Sequence, residues 1–390
     1  MSVVVNSFSS GIGGGGFLLL RKKVDGQDLF DMFDFRETAP ENVSIEDLQR
    51  HQDASKIGGT AVCTPGEVMG LYEAHKQYGR LPWARLFEEN IAIARGFRAS
   101  RILIVKLHNN KERVLGDEGL SAVFARNGVL VEEGDTVVRE NYARTLEKIA
   151  QDPMSFYREE LADKIVASIQ RNGGSVTGQN MAEYRAKKRD VIEGQYLDFK
   201  VYTTSLPTSG VLVLEALKIL EHIDFDKLKT VDREDRMYIF YHMLIETFKF
   251  ISAKRGELGD PDFLESYKLI ISNLVSNKHT RSDIFQKIKT TNTLEHNDYE
   301  QAVPFVEDHG TTHLNVVDQD GTIVQITSTI NLEFGANFMD PETGIIFNNQ
   351  IDDFFIPQVE NSYNLPPMIG NLIQKKKRPF SSISPIFCYL

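Results

Sequence analysis

Apolar and polar residues follow two different periods along this chain, and the change falls near residue 310. Before it, apolar residues mostly recur every three or four positions, as in helices with one buried face. Between 311 and 330 the period is two, which predicts two strands joined by a turn at 318–321. A further short strand is expected at 345–347. Helices are predicted over 64–79, 82–95, 209–222 and 233–255, and over most of 100–190.

Local signals refine two of these helices. Thr64 and Glu67 have the spacing of a capping box, with Pro65 at the first helical position. The helix over 233–255 is expected to bury the face that carries Met237, Phe240, Tyr241, Leu244 and Phe248.

A run of glycines, 11–16, precedes a predicted strand pair over 17–36. The run satisfies the dinucleotide fingerprint G-x-G-x-x-G, but that site needs a helix after the glycines, and a strand follows here. We favour the alternative, a tight loop without side chains where backbone segments approach closely, beside a binding pocket.

The composition is that of a globular protein and bears on the class of partner. The chain has 390 residues, 41% of them hydrophobic, and a net charge of −11. This balance argues against nucleic acid as a partner, because phosphate binding needs a basic footprint. The one dense basic run, 375–378, is expected to be a solvated loop. Cys63 and Cys388 predict neither a disulfide framework nor a zinc site.

Both ends of the sequence lie inside apolar, strand-like runs, at 3–5 and 386–390. Whole domains usually end in polar tails, so we expect a fragment of a longer domain. No apolar run approaches the roughly 20 residues of a membrane span. The first residues have neither the basic nor the apolar region of a signal peptide.

The predicted hairpin brings two hydroxyls together. If Asp318 pairs with Thr322 around the turn, Thr311 faces Thr329 about 5 Å away. Gly310 would let the chain bend sharply before the strand. If the chain is cut there, the new terminal amine can act as a base for the Thr311 hydroxyl, since such amines titrate near pH 8. The alternative is that threonine is simply a good strand former.

A dense polar cluster, 348–353, follows the short strand at 345–347. Its amides and carboxylates can pair an α-amino group and a carboxylate at once.

Seven segments of the sequence, taken in their order along the chain, form a recognisable set: SSGIGGGGF (9–17), DFRETAP (34–40), GDPDF (259–263), GTTHL (310–314), TSTIN (327–331), FNNQIDD (347–353) and RPFSSISP (378–385).

In this order the segments resemble the gamma-glutamyltranspeptidases, which are N-terminal-nucleophile hydrolases. The resemblance implies an α+β fold, the four-layer αββα sandwich of that class, here incomplete at its N- and C-termini. It also implies one domain in two parts, a large-subunit segment, 1–310, and a truncated small-subunit segment, 311–390.

The resemblance also implies roles for eight residues. Thr311 becomes the N-terminal nucleophile after self-cleavage at Gly310–Thr311, and Thr329 supplies the hydroxyl bonded to it. Arg36 holds the substrate α-carboxylate, for which its planar fork is suited. Two further groups of residues bind the glutamyl end: Ser381 and Ser382, and, at the α-ammonium, Asn331, Gln350 and Asp353.

The implied function is gamma-glutamyltransferase and glutathione hydrolase. Its partners are glutathione and other γ-glutamyl compounds, with water, an amino acid or a dipeptide as acceptor. No cofactor or metal is expected, since His309 and His313 lack the glutamate of the metalloprotease helix motif. The family's usual locations are the secretory pathway, the vacuolar or plasma membrane, and the periplasm.

Two alternatives stay open. The family's upstream helix and its downstream Gly-Gly pair, which forms the oxyanion hole, are not found in this sequence, so the chain could be an inactive fragment or pseudoenzyme. The second is a related acylase that acts on a β-lactam side chain. Arg36 together with Asp353 argues against it, because the two select an α-amino acid end.

Overall fold

The computed structural model describes residues 1–51, 53–276, 278–299, 310–359, 362 and 368–389. The chain forms two compact units. The first comprises Met1–Lys188, Glu307–Ser362 and Ile373–Pro379, and the second comprises Arg189–Val306, Tyr363–Leu372 and Phe380–Leu390. The division into subunit segments at residue 310 concerns cleavage and stays a prediction.

The helices of the first unit are α1 (Ser2–Val5), α2 (Ile45–Arg50), α3 (Glu67–Tyr78), α4 (Glu88–Ala94), α5 (Arg101–Asn109), α6 (Lys111–Gly116), α7 (Glu118–Phe124), α8 (Glu140–Gln151), α9 (Glu159–Arg171) and α10 (Gly178–Glu183). Its strands are β1 (Gly15–Val24), β2 (Gln27–Asp34), β3 (Phe97–Arg98), β4 (Ala125–Arg126), β5 (Val129–Leu130), β6 (Thr136–Val137), β10 (Thr312–Val317) and β11 (Ile323–Thr329). Strand β7 (Lys187–Arg189) ends where the chain enters the second unit.

The second unit contains β8 (Val191–Tyr196), β9 (Phe199–Thr204) and β12 (Ile386–Tyr389). Its helices are α11 (Gly210–Leu220), α12 (Phe225–Lys229), α13 (Arg233–Ala253), α14 (Tyr267–Ser276) and α15 (Lys278–Lys287). The three strands are ordered β12-β9-β8, and α11 packs on them with Val211, Leu214 and Ile219 in the core. The strand-like run at 386–390 forms β12, although Leu390 lies outside the described residues. The run at 3–5 is not a strand but part of α1, because the amides of Val5 and Asn6 bond to the carbonyls of Met1 and Ser2 four residues earlier.

A five-stranded sheet, β10-β11-β1-β2-β7, organises the first unit. Both predicted strand pairs belong to it. In the hairpin of β10 and β11, Thr312 faces Ser328 and His313 faces Thr327, which is the predicted register. Strand β11 also pairs with β1, where Gly15 faces Thr329. The hairpin thus lies directly beside the glycine run.

The glycine run is the close backbone approach that the sequence predicts. A Cβ added at Gly14 would lie 2.0 Å from the carbonyl oxygen of Thr329, and one at Gly16 would lie 2.0 Å from that of Thr327. Strand β1, not a helix, follows the run, so the dinucleotide fingerprint is not a nucleotide site here.

Helix α3 forms as predicted but begins without a capping box. Gly66 is its N-cap, with no side-chain cap, and Thr64 forms a backbone bridge with Thr38 instead. The amides of Gly66 and Glu67 donate to the carbonyl of Gly14 at 2.9 and 3.0 Å. These two amides at the start of the helix therefore have a hydrogen-bond acceptor in the glycine run, so a side-chain cap is unnecessary.

The helix predicted over 233–255 is α13, but it buries another face. Its buried residues are Met243, Glu246, Thr247, Phe250 and Ile251. Of the predicted face, Met237, Tyr241 and Phe248 are about half exposed. The apolar pattern missed this face because it contains a glutamate, whose charge is compensated by Lys249 at 2.7 Å and by the Tyr299 hydroxyl.

Two further predictions need correction. Residues 345–347 are buried but form only an isolated bridge between Ile346 and Met339, not a strand. The basic run is only half solvated: Lys375 and Lys376 are exposed, whereas Lys377 and Arg378 are buried. Arg378 pairs at 3.0 Å with the buried carboxylate of Asp34, which requires a counter-charge.

None of the helices in the described ranges is long and apolar enough to cross a bilayer.

The glycine run yields a stability prediction with a control in the same loop. Gly14→Ala should destabilise the protein by about 1–3 kcal/mol or more, because its Cβ meets rigid backbone. Gly11→Ala should change stability by under about 1 kcal/mol, since nothing lies within 4 Å of its added Cβ. Urea unfolding of both variants measures the difference, and equal midpoints would contradict this account of the glycines.

Candidate active site

Thr311 stands at the point where the chain bends into β10. Gly310 before it has a φ of 120°, a value that side chains disfavour, as the sequence predicted for this bend. The Thr311 Oγ1 hydroxyl donates to Thr329 Oγ1 at 3.3 Å. The two hydroxyls that the hairpin register predicts to be neighbours are therefore in contact.

Thr329 connects three groups through one oxygen. Besides accepting from Thr311, its Oγ1 accepts the backbone N–H of Asn331 at 2.9 Å and donates to the carbonyl oxygen of Gly310 at 3.2 Å. That carbonyl belongs to the peptide bond between Gly310 and Thr311. One hydroxyl thus contacts both the candidate nucleophile and the bond predicted to break.

Arg36 lies just after β2, and its side chain is 1% exposed. The Nε group donates to the carbonyl of Pro379 at 3.3 Å, and Nη2 forms an ion pair with Asp353. The main chain of Arg36 is also held by hydrogen bonds, because the Arg36 amide donates to Asp34 and the Arg36 carbonyl accepts from the Tyr184 hydroxyl. The structure thus brings Arg36 and Asp353 together in a buried, charged site.

Gln350 joins this site from the same short 3-10 helix as Asp353, Gln350–Asp353. Its Nε2 group donates to Asp353 Oδ2 at 2.5 Å. Its Oε1 is buried and has no hydrogen-bond partner among the described residues. The carboxylate of Asp353 and the amide oxygen of Gln350 therefore lie close together, and both can accept hydrogen bonds from a positively charged donor.

The rest of the polar cluster holds loops together. Asn348 bonds to both Gly13 and Cys63, and Asn349 accepts from Leu332 and donates to Lys56. Asn331, with a left-handed φ of 72°, donates its side-chain amide to the carbonyl of Asn349 at 3.1 Å. Asn349 thus connects the threonine pair to the Arg36 site, because it directly precedes Gln350.

Ser381 and Ser382 belong to the second unit. Ser381 is buried, and its amide and carbonyl bond to Pro207 and Ser209 at 2.8 Å each. Ser382 is exposed, and its hydroxyl accepts from Arg255 at 3.1 Å. Of the eight predicted residues, six lie in the first unit, in two groups linked by Asn349: Thr311, Thr329 and Asn331, and Arg36, Gln350 and Asp353.

Sequence reasoning gave no role to several buried carboxyls of the first unit, among them Glu37 and Glu67. Glu37, next to Arg36, is fully buried, and burial raises its pKa to about 7 although Arg36 opposes this. Glu67 opens α3, and burial raises its pKa to about 8. Glu37 lay within a segment that carried the resemblance, but periodicity gives no signal for a buried carboxyl without an obvious partner.

The described residues contain no group of three or more His, Cys, Asp or Glu side chains placed to hold a metal ion. His313 bonds to Thr327 at 2.7 Å and to Asn315 at 3.1 Å. His309, the second histidine of the spacing considered above, lies outside the described residues.

Comparison with known proteins identifies the family of this chain. The sequence profile of the gamma-glutamyltranspeptidase family matches residues 1–389. Glutathione hydrolase proenzyme 2 of Schizosaccharomyces pombe is 38% identical over 386 residues, which are 98% of this chain and 62% of that protein. This chain therefore spans about three fifths of the length of that relative.

Solved structures share the fold. A gamma-glutamyltranspeptidase from Pseudomonas nitroreducens, complexed with L-DON, has a TM-score of 0.67 at 26% identity, over 77% of this chain and 88% of that one. A cephalosporin acylase from Bacillus halodurans has a TM-score of 0.79 at 24% identity, over 99% of this chain and 68% of that one. The predicted α+β sandwich of the N-terminal-nucleophile hydrolases is confirmed, and this chain belongs to the gamma-glutamyltranspeptidase family.

Proposed function

We propose that this protein is a gamma-glutamyltransferase and glutathione hydrolase that cleaves itself at Gly310–Thr311. The observation that carries the proposal is the contact of the Thr329 hydroxyl with both the Thr311 hydroxyl and the Gly310 carbonyl. Relatives named glutathione hydrolase, some of them as proenzymes, support it.

Self-cleavage begins with attack of Thr311 Oγ1 on the carbonyl carbon of Gly310. The new C–O bond replaces the C–N bond, and the hydroxyl proton moves to the departing nitrogen. The Thr329 hydroxyl stabilises the developing negative charge on the Gly310 oxygen. Water then hydrolyses the ester, leaving a carboxylate on Gly310 and a free amine and hydroxyl on Thr311.

The γ-glutamyl reaction reuses the same hydroxyl. The Thr311 amine takes the hydroxyl proton while Oγ1 attacks the γ-carbonyl of glutathione, and the leaving amine departs with a proton. Water or the amine of an amino acid or dipeptide then releases the γ-glutamyl group. Each step uses groups of this chain, its substrates and water.

Charge complementarity favours an α-amino acid end in the substrate. Arg36 is buried and forms an ion pair with Asp353, whose side chain is 14% exposed, and separating such partners is costly unless each charge is compensated. A zwitterion does this, because its carboxylate can bind Arg36 while its ammonium binds Asp353 and the open oxygen of Gln350. Asn331 is proposed to complete this binding site, and the roles of Ser381 and Ser382 at the glutamyl end stay predictions from the family resemblance.

The acylase alternative has weaker support. The cephalosporin acylase resemblance, at 24% identity, shows the fold alone. Buried charges of both signs suit an α-amino acid end better than a β-lactam side chain that lacks one. The pseudoenzyme alternative is disfavoured by the two threonine hydroxyls in contact.

Removing the nucleophile should block maturation. Thr311→Ala should remain a single chain of 390 residues on a denaturing gel, because the ester cannot form. The unaltered protein should separate into two chains cut after Gly310. Normal cutting of Thr311→Ala would remove Thr311 as the nucleophile, and N-terminal sequencing of the small fragment would locate the true site.

Thr329 should control the rate of self-cleavage. Thr329→Val removes the hydroxyl at similar volume and should slow cleavage by about 10²–10³-fold, the usual cost of one oxyanion donor. Thr329→Ser, which keeps the hydroxyl, should cleave within about tenfold of the unaltered protein. The time course of fragment appearance measures both, and equal rates for the two variants would exclude this role.

Arg36 should determine affinity for the glutamyl end. Arg36→Lys keeps the charge but loses the fork, which should cost about 1.5–3 kcal/mol, mostly as a higher KM for a γ-glutamyl anilide. Arg139→Lys is the control, because Arg139 is equally buried but binds the backbone carbonyls of Val4 and Gly344. An unchanged KM in Arg36→Lys would exclude Arg36 from the substrate site.

A further inference from the structure

We propose that Glu37 is a positioning residue for Arg36 and takes up a proton when the α-carboxylate of a γ-glutamyl ligand binds. The inference rests on the proposed function, since it assumes that Arg36 receives that carboxylate. It adds a residue to the binding reaction and predicts that binding depends on pH.

The Glu37 carboxyl is fully buried beside the guanidinium. Its Oε2 lies 3.8 Å from Nη1 of Arg36, which is within ion-pair distance but beyond hydrogen-bond distance. No other residue that the structure describes forms a hydrogen bond with either of its oxygens, and only its own backbone amide favours the charged form in this way. A buried carboxylate with so few donors around it is costly, which favours the neutral form of this group.

The glycine run makes room for this carboxyl. A Cβ on Gly15 would lie 2.9 Å from both the carboxyl carbon and Oε2 of Glu37. Gly15 is also the cross-strand partner of Thr329. The carboxyl therefore lies against the strand position that faces the threonine pair, where any larger residue would displace it.

The charges around Glu37 nearly balance before a ligand binds, because Arg36 pairs with Asp353 and Arg378 pairs with Asp34. Arg36 is the cation beside Glu37, and its attraction lowers the pKa of that carboxyl, though by less than burial raises it. Burial is the largest cause of the raised pKa of Glu37, about 7, and the nearby negative charges of Asp353 and Asp34 act in the same direction. Other titratable groups that face it are Cys63, Glu67 and Tyr184.

A bound α-carboxylate would change this balance. The α-carboxylate would bind at Arg36, beside Glu37, whereas the ammonium would pair with Asp353 and Gln350. Repulsion between the two carboxylates that share Arg36 would raise the pKa of Glu37 above its value in the free protein. Binding would therefore be strongest when Glu37 is already protonated, below pH 7. As pH rises through about 7, the ionised Glu37 competes for Arg36 and affinity falls, by at most about tenfold per pH unit.

The experiment measures the inhibition constant of L-glutamate against hydrolysis of a γ-glutamyl anilide, from about pH 6 to about pH 8.5. L-glutamate carries the α-carboxylate and ammonium but no bond to cleave. In the unaltered protein the constant should rise above about pH 7. In Glu37→Gln, which stays neutral, the constant should be low and nearly independent of pH over the same range.

Two further variants separate this role from a purely structural one. Glu37→Asp should retain pH dependence, since it can still ionise. Glu67→Gln is the matched control, because Glu67 is an equally buried carboxyl with a raised pKa and no ion pair with Arg36. It should keep the pH dependence of the unaltered protein.

A calorimetric measurement on the unaltered protein does not depend on any variant folding. Titration with L-glutamate near pH 7.5, in two buffers of different ionisation enthalpy, should show uptake of about half a proton or more per ligand bound. No proton uptake, or the same pH slope in Glu37→Gln as in the unaltered protein, would overturn the proposal. Failure of the unaltered protein to bind L-glutamate would instead reject the proposed function.

Discussion

The space between the start of β1 and its neighbours is too small for any side chain, and much of the first unit follows from this. Gly13, Gly14 and Gly16 each face a backbone carbonyl at a distance that excludes a Cβ. Strand β11 can therefore approach β1 closely, with Thr329 opposite Gly15. The same approach leaves the carbonyl of Gly14 to receive the first amides of α3. A steric constraint thus positions a strand, a helix and the threonine pair together.

Around this backbone, the charges are buried but largely compensated. Arg378 pairs with Asp34, and Arg36 pairs with Asp353, so two cations and two carboxylates occupy the interior at the end of β2. Glu37 is the additional acid. Because an uncompensated buried charge is expensive, this region is sensitive to any ligand that brings charge of its own. The arrangement suits a zwitterion, which adds one charge of each sign.

The sequence predicted local features better than long-range ones. The hairpin register followed from the period of two and a short turn, and the glycine run from the sterics of a residue without a side chain. The predicted face of α13 was wrong because Glu246 is buried through contacts with Lys249 and Tyr299, which no periodicity contains. The burial of Arg378 depends on Asp34, which is 344 positions away. Glu37 was missed for the same reason, because its raised pKa depends on burial and on charges brought near it by the fold.

The bond from Thr329 to the Gly310 carbonyl has a kinetic consequence. Every group needed for the proposed cleavage is covalently part of one molecule, so maturation would be first order and its half-time independent of protein concentration. Dilution would not delay it, and a mature copy would not accelerate it. Until the bond breaks, Thr311 has an amide in place of the amine that transfer requires, so each molecule would remain inactive until it had cleaved itself once.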